Sequence, residues 1–174
     1  MRRLLIAFTI GAVVTLAACS LINSKLKEED LDSLDDEKFF EALMFRCVDD
    51  YSGINDYFES DEMKTIYVLM NFEIELENGG LCQFFCNPSG ECAPYVSDAL
   101  EQVGALDIKK IYDDFIAENN IDVNDLSSFE TDSVDDYIEQ TKRFDYESFD
   151  EHMHDKDDLQ ALIVAYARYH IDVF

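Results

Sequence analysis

Positive charge is what this chain has least of. It carries 13 Lys and Arg against 39 Asp and Glu, a formal net charge of -26 with its 3 His neutral. A surface of that sign repels nucleic acid and anionic lipid headgroups, and it attracts basic proteins and cations. Direct nucleic-acid binding is therefore not expected. Signatures of common chemistry are missing as well. The sequence has no Gly-rich phosphate loop, no G-x-S-x-G nucleophile elbow and no zinc-protease helix. No apolar run reaches the roughly 20 residues that span a bilayer as a helix. No alternating strand pattern persists for any length, and no internal repeat is visible. These gaps point away from an enzyme: no catalytic residue, cofactor or metal is expected.

What is present begins with Met1-Arg2-Arg3, a short positive start. Leu4 to Ala18 follows without a charge, too short for a comfortable span and suited to the apolar region of a signal peptide. The run ends Leu16-Ala17-Ala18-Cys19-Ser20, which resembles the bacterial lipobox. The resemblance implies cleavage before Cys19 and a diacylglycerol on its sulfur. Each acyl chain contributes about 0.8 kcal/mol per buried methylene, and two chains make attachment stable. Residues 1–18 are then a signal peptide, 19–33 a lipidated tether and 34–174 the folded domain. Ser20, not Asp, follows the cysteine, which by the same resemblance favours the outer membrane over the inner. Cleavage removes Arg2 and Arg3 and takes the net charge to -28.

The rest is long enough for one domain. Its apolar and aromatic content argues against disorder despite the charge. Besides Cys19 it holds Cys47, Cys82, Cys86 and Cys92. An even count in an oxidising compartment suggests two disulfides, with three connectivities open. Cys82 and Cys86 would lie one helical turn apart with nearly parallel Cβ vectors, which disfavours their pairing. Cys86–Cys92 and Cys47–Cys82 is the expected arrangement. A zinc site made of all four is the rival, although C-x3-C-x5-C is not a usual zinc spacing.

Helical periodicity dominates. Phe40, Leu43, Met44, Cys47, Val48 and Tyr51 mark one helix, capped by Ser33 or Asp35. Met63, Ile66, Tyr67, Met70 and Ile74 mark a second, entered near Ser60 and stopped at Asn78-Gly79-Gly80 by a left-handed cap. Leu81 to Cys86 reads as a short helical turn before the loop Asn87-Pro88-Ser89-Gly90. Further helices are expected from Cys92 to Val103, ended by Gly104, and around Ile108 to Ile116, ended by Asn119-Asn120. A loop over 121–133 precedes a short helix at Val134 to Thr141. Residues 144–157 are acidic and aromatic with no clean period. The last helix runs from about Asp158 to Ile171. The fold class is all-α: a single compact helical domain after the tether.

Glu75-Leu76-Glu77-Asn78-Gly79-Gly80-Leu81-Cys82-Gln83-Phe84-Phe85-Cys86-Asn87-Pro88-Ser89-Gly90 is similar to the signature of the DNA-mimic-protein-nineteen family. The resemblance continues through Ala99-Leu100 and Gly104-Ala105 and resumes at Asp157 to Ile163 with Tyr166, His170 and Phe174. It covers about Met63 to Phe174. It implies a helical fold, an acidic surface and a tendency to dimerise. The family takes its name from a member whose carboxylates imitate DNA phosphates for a DNA-binding protein. Within the motif, Glu75, Asn78, Gly79, Gly80, Gln83, Phe84, Phe85, Asn87 and Gly90 read mainly as structural. Gly79 and Gly80 reverse the chain, Phe84 and Phe85 fill the core, and the amides of Gln83 and Asn87 satisfy backbone groups at helix ends.

Other polar clusters carry weaker signals. His152-Met153-His154 among acids resembles surface His more than a metal site. Asp122, Asn124, Asp125, Ser127 and Glu130 lack the Gly of a calcium loop. His170 sits on an apolar face as a packing residue. Asp135, Asp136, Glu139, Asp145 and Glu147 form the candidate acidic binding face. The functional expectation is a lipid-anchored acidic module that meets a basic protein at the cell envelope, facing the periplasm or the exterior. The alternatives are a lipoprotein whose acidity serves only solubility, and a cytoplasmic DNA mimic if the signal is unused.

Overall fold

The computed structural model describes residue 31 and residues 33–154 and 158–173. Cys19, the signal peptide 1–18 and most of the tether lie outside the described residues. Among those described there are seven α-helices and no strand: α1 (Asp36–Asp50), α2 (Asp61–Cys86), α3 (Ala93–Gln102), α4 (Leu106–Asn119), α5 (Val134–Gln140), α6 (Tyr146–His154) and α7 (Leu159–Tyr169). Three 3-10 turns, Pro88–Cys92, Ser127–Phe129 and Ile171–Val173, complete the order.

Local chemistry sets the helix starts. Asp35 caps α1 by accepting from Lys38 N–H, Ser60 caps α2 through Met63 N–H, and Asp158 caps α7 through Ala161 N–H. Two ends are Schellman closures. At the first, Gly104 has φ +82°, with Ala105 N–H bonded to Leu100 O at 2.9 Å. At the second, Asn120 has φ +53°, with Ile121 N–H bonded to Ile116 O at 3.0 Å.

Helix α2 is the axis of the domain. Thr65 to Met70 and Phe72 are all buried, so this stretch is covered on every side, as befits a helix apolar all round. Helices α1, α3, α6 and α7 and the Pro88–Cys92 turn pack against it. Phe39, Ile66, Leu69, Phe72, Phe84, Leu100, Ile108 and Ile163 sit in the shared core. Tyr112 brings its hydroxyl into this core and donates to Ala93 O at 3.0 Å.

Three expectations change. Leu31, assigned to the tether, is 5% exposed and packs in the core, so folded contact begins before residue 34. Residues 146–154, without clean periodicity, form α6, because Tyr146 and Phe149 bury against Phe115 at ring separations of 5.6 and 5.1 Å. The second helix does break at Gly79-Gly80 and a further segment runs to Cys86, but the break is not a left-handed helical cap: Gly79 is extended (φ -171°) and Gly80 lies at φ +76°, ψ -173°.

Candidate functional site

The family-like motif folds around one carboxylate. Glu75 lies half-buried near the end of the first segment of α2. Its Oε2 accepts from Gln83 Nε2 at 2.8 Å and from Asn87 Nδ2 at 2.9 Å. Its Oε1 accepts from Asn87 Nδ2 at 3.1 Å and from Ser89 Oγ at 2.8 Å. One side chain thus ties the first segment of α2 to the second and to the following turn. The amides of Gln83 and Asn87 do not serve backbone groups, as the sequence suggested. A carboxylate with four acceptor sites within reach is the stronger partner.

The kink between the segments needs its glycines. Gly80 has a backbone that residues with a Cβ avoid, and a Cβ there would stand 2.1 Å from Asp150 Oδ2. Asp150, from α6, accepts from Leu81 N–H at 3.1 Å and so caps the resumed segment of α2. Gly90 brings the turn close, since its Cβ would meet Phe84 O and Phe85 O at 3.0 Å. Asn78 and Gly79 are exposed beside the kink. Phe84 and Phe85 are buried as expected, at 0% and 3% exposure.

The cysteines fall into two neighbourhoods. No disulfide joins the four cysteines, so the bridges Cys86–Cys92 and Cys47–Cys82 are not formed in the structure. Cys82 and Cys86, on adjacent turns of α2, face one another and Tyr146. Cys47 and Cys92 are instead neighbours of Tyr67. A hydrogen bond from the Cys86 thiol holds the Cys82 thiol below its ordinary range, against burial. The same bond, and then burial, push Cys86 up. Tyr146 is 5% exposed, and burial pushes its hydroxyl up. That hydroxyl lies near Cys82 but meets no partner at full hydrogen-bond geometry.

The acidic residues Asp135, Asp136 and Glu139 lie on α5, which buries none of its residues. They are exposed, as are Asp145 and Glu147 around the start of α6. Val134 and Ile138, one turn apart on α5, are 48% and 43% exposed. Some of these carboxylates are engaged locally. Asp136 accepts from Ser133 Oγ at 2.7 Å, Asp145 accepts from Ser148 N–H at 3.2 Å, and Glu139 pairs with Lys142 at 2.9 Å. The pair is open to water and contributes little.

A different carboxylate is strained. Burial pushes Glu73 up to about 7, with Glu77 and Asp158 adding repulsion. The remaining clusters resolve as local structure. Asp122 and Asp125 accept from Asn124 N–H and Ser127 N–H and close turns in the loop. His170 is half-buried, and its ring lies tilted against that of Tyr166 with centroids 4.6 Å apart. His152 is exposed and bonds to Ser148 O, while the His154 side chain lies outside the described residues. No group of three or more His, Cys, Asp or Glu among the described residues is placed to hold a metal ion. No described helix is long and apolar enough to cross a membrane.

Sequence reading missed Ser89, Asp150, Tyr146 and Arg143. Ser89 stood inside the motif and was legible as a donor. Asp150 meets Leu81 across 69 residues, which no local pattern reveals.

Fold and site together define an acidic all-α domain organised by a carboxylate-centred Gly-Gly motif. The family model for DMP19-like protein matches residues 57–170, and the chain belongs to that family. No match was found among curated proteins or among solved structures.

Proposed function

We propose that this protein is a non-enzymatic binding module, held on a membrane by lipid on Cys19, whose carboxylates meet a basic protein at the cell envelope. The observation that carries the reading is α5. This helix buries nothing and displays Asp135, Asp136 and Glu139 to solvent, with Asp145 and Glu147 following it. Basic side chains do not offset the field: Lys109, Lys110, Lys142 and Arg168 are already paired with carboxylates of the same chain. The family's name supports a partner that ordinarily binds DNA. An inhibitory role against a cationic toxin or nuclease is the specific form of this reading, and a homodimer is part of it by family likeness.

Affinity should come largely from charge. Each exposed pair is worth at most about 1 kcal/mol, but aligned charges raise the association rate. Screening acts over about 8 Å at physiological salt. The test is capture from envelope extracts at low and high salt, with each basic protein found then purified and its binding kinetics measured. Association should slow steeply with salt and on changing Asp135, Asp136, Glu139, Asp145 and Glu147 to Asn or Gln. A partner indifferent to both would leave the acidity with a solubilising role alone.

Family membership favours a second reading, cytoplasmic DNA mimicry. It requires the chain to keep residues 1–18 and to compete with DNA for a DNA-binding protein. An N-terminus beginning at lipidated Cys19 would exclude it.

A further inference from the structure

The paired thiols of α2 belong neither to the Glu75 network nor to the acidic face. Cys82 and Cys86 are one turn apart on one side of the helix, which sets their side chains next to each other. Cys82 is 3% exposed and Cys86 is half-buried, so the pair meets solvent from the Cys86 side. Tyr146 closes the cluster with a buried hydroxyl that lacks a full partner. Aromatic rings stand behind it: Phe144 lies 5.7 Å from the Tyr146 ring, and Arg143 packs over Phe129 and Phe144 at 4.8 and 4.9 Å.

Two soft donors without a third select among metals. Structural zinc takes four ligands in a tetrahedron, and calcium takes six or more oxygens. Neither is served here, since no larger set of His, Cys, Asp or Glu converges among the described residues. Thiolates prefer cuprous copper, a closed-shell ion that is satisfied by two sulfurs in line.

We propose that Cys82 and Cys86 form a binding site for one monovalent copper ion. On binding, each thiol releases its proton to solvent and each sulfur donates an electron pair to the metal. Copper is neither oxidised nor reduced. Two thiolates and one monovalent cation leave a single negative charge, and Arg143 lies near enough to Cys86 to offset it. The Tyr146 hydroxyl gains a thiolate acceptor at Cys82, a stronger partner than the thiol it now faces.

The experiment uses the full chain, reduced and free of oxygen, titrated with cuprous ion held by a chromophoric chelator. One copper per chain should be withdrawn, and X-ray absorption should show two sulfur neighbours. Cys86→Ser should weaken uptake by about 100-fold or more, beyond what loss of a supporting residue causes. A Cys47→Ser/Cys92→Ser double variant should bind as the parent does. Cys86 is half-buried, so its serine variant is the one expected to keep the fold, checked by circular dichroism; Cys82→Ala is a second arm. Undiminished uptake by Cys86→Ser overturns the site, as does tighter binding of zinc than of copper. A Cys86–Cys92 disulfide in protein taken from cells overturns it too. None of these outcomes depends on finding a basic partner for the acidic face.

Discussion

Replacing Glu75 by Ala removes the acceptor that Gln83, Asn87 and Ser89 share. A hydrogen bond to a charged group contributes about 1.5–3 kcal/mol. Three donor groups converge here, but the site is half-buried, so water replaces part of what is lost. The expected cost is about 3 kcal/mol. For a domain of this size that lowers the melting temperature by about 10 °C. Glu75→Gln should cost nearly as much, because its amide can accept on one atom only. The sharper measurement is a double-mutant cycle in chemical denaturation. Asn87→Ala should cost about 1–2 kcal/mol alone and almost nothing in the Glu75→Ala background, since contacting residues couple. Additive losses, or a Glu75→Ala cost below about 1 kcal/mol, would show that the carboxylate does not hold the kink together.

Other outcomes follow from single residues. Burial raises Glu73 from 4.5 to about 7 in the folded chain. The folded state therefore holds the extra proton between those values, and stability falls as pH rises from about 4.5 to 7, by about 3 kcal/mol in all. Denaturation of Glu73→Gln across that range should lack this slope, and parallel curves for variant and parent would contradict the burial argument. Gly80→Ala places a Cβ at φ +76° against Asp150; a loss of at least about 2 kcal/mol is expected. Gly80→Ala/Asp150→Ala should recover little, because the backbone strain remains. Cys19→Ala should move the protein from the membrane fraction to the soluble one, with mass spectrometry of the N-terminus as the check; an intact Met1 in the parent would refute the lipid anchor.

Helix positions were legible because local chemistry makes them. The caps at Asp35, Ser60 and Asp158 and the stops at Gly104 and Asn120 need only side chains within a few residues, and the apolar period of α2, α3, α4 and α7 is visible in one dimension. The motif and its family likeness were legible for the same reason, being sixteen consecutive residues. So was the excess of carboxylate, which is a property of composition.

Tertiary structure decided what those residues do. Gly79 and Gly80 read as a helix stop and Leu81 to Cys86 as a new helical turn, but only the fold shows that Asp150, distant in sequence, caps that turn at Leu81. Gln83 and Asn87 read as backbone partners, yet the kink swings them onto Glu75. Helix α6 has weak periodicity of its own and forms because Phe115 offers a wall to Tyr146 and Phe149. Cysteine count suggested bridges, and only the folded core shows Cys82 facing Cys86 and Tyr146 while Cys47 and Cys92 lie by Tyr67. Capping and period act within one or two turns and so are written in the sequence. A contact between residues 69 positions apart depends on how the helices stack around α2, and that packing exists only in three dimensions.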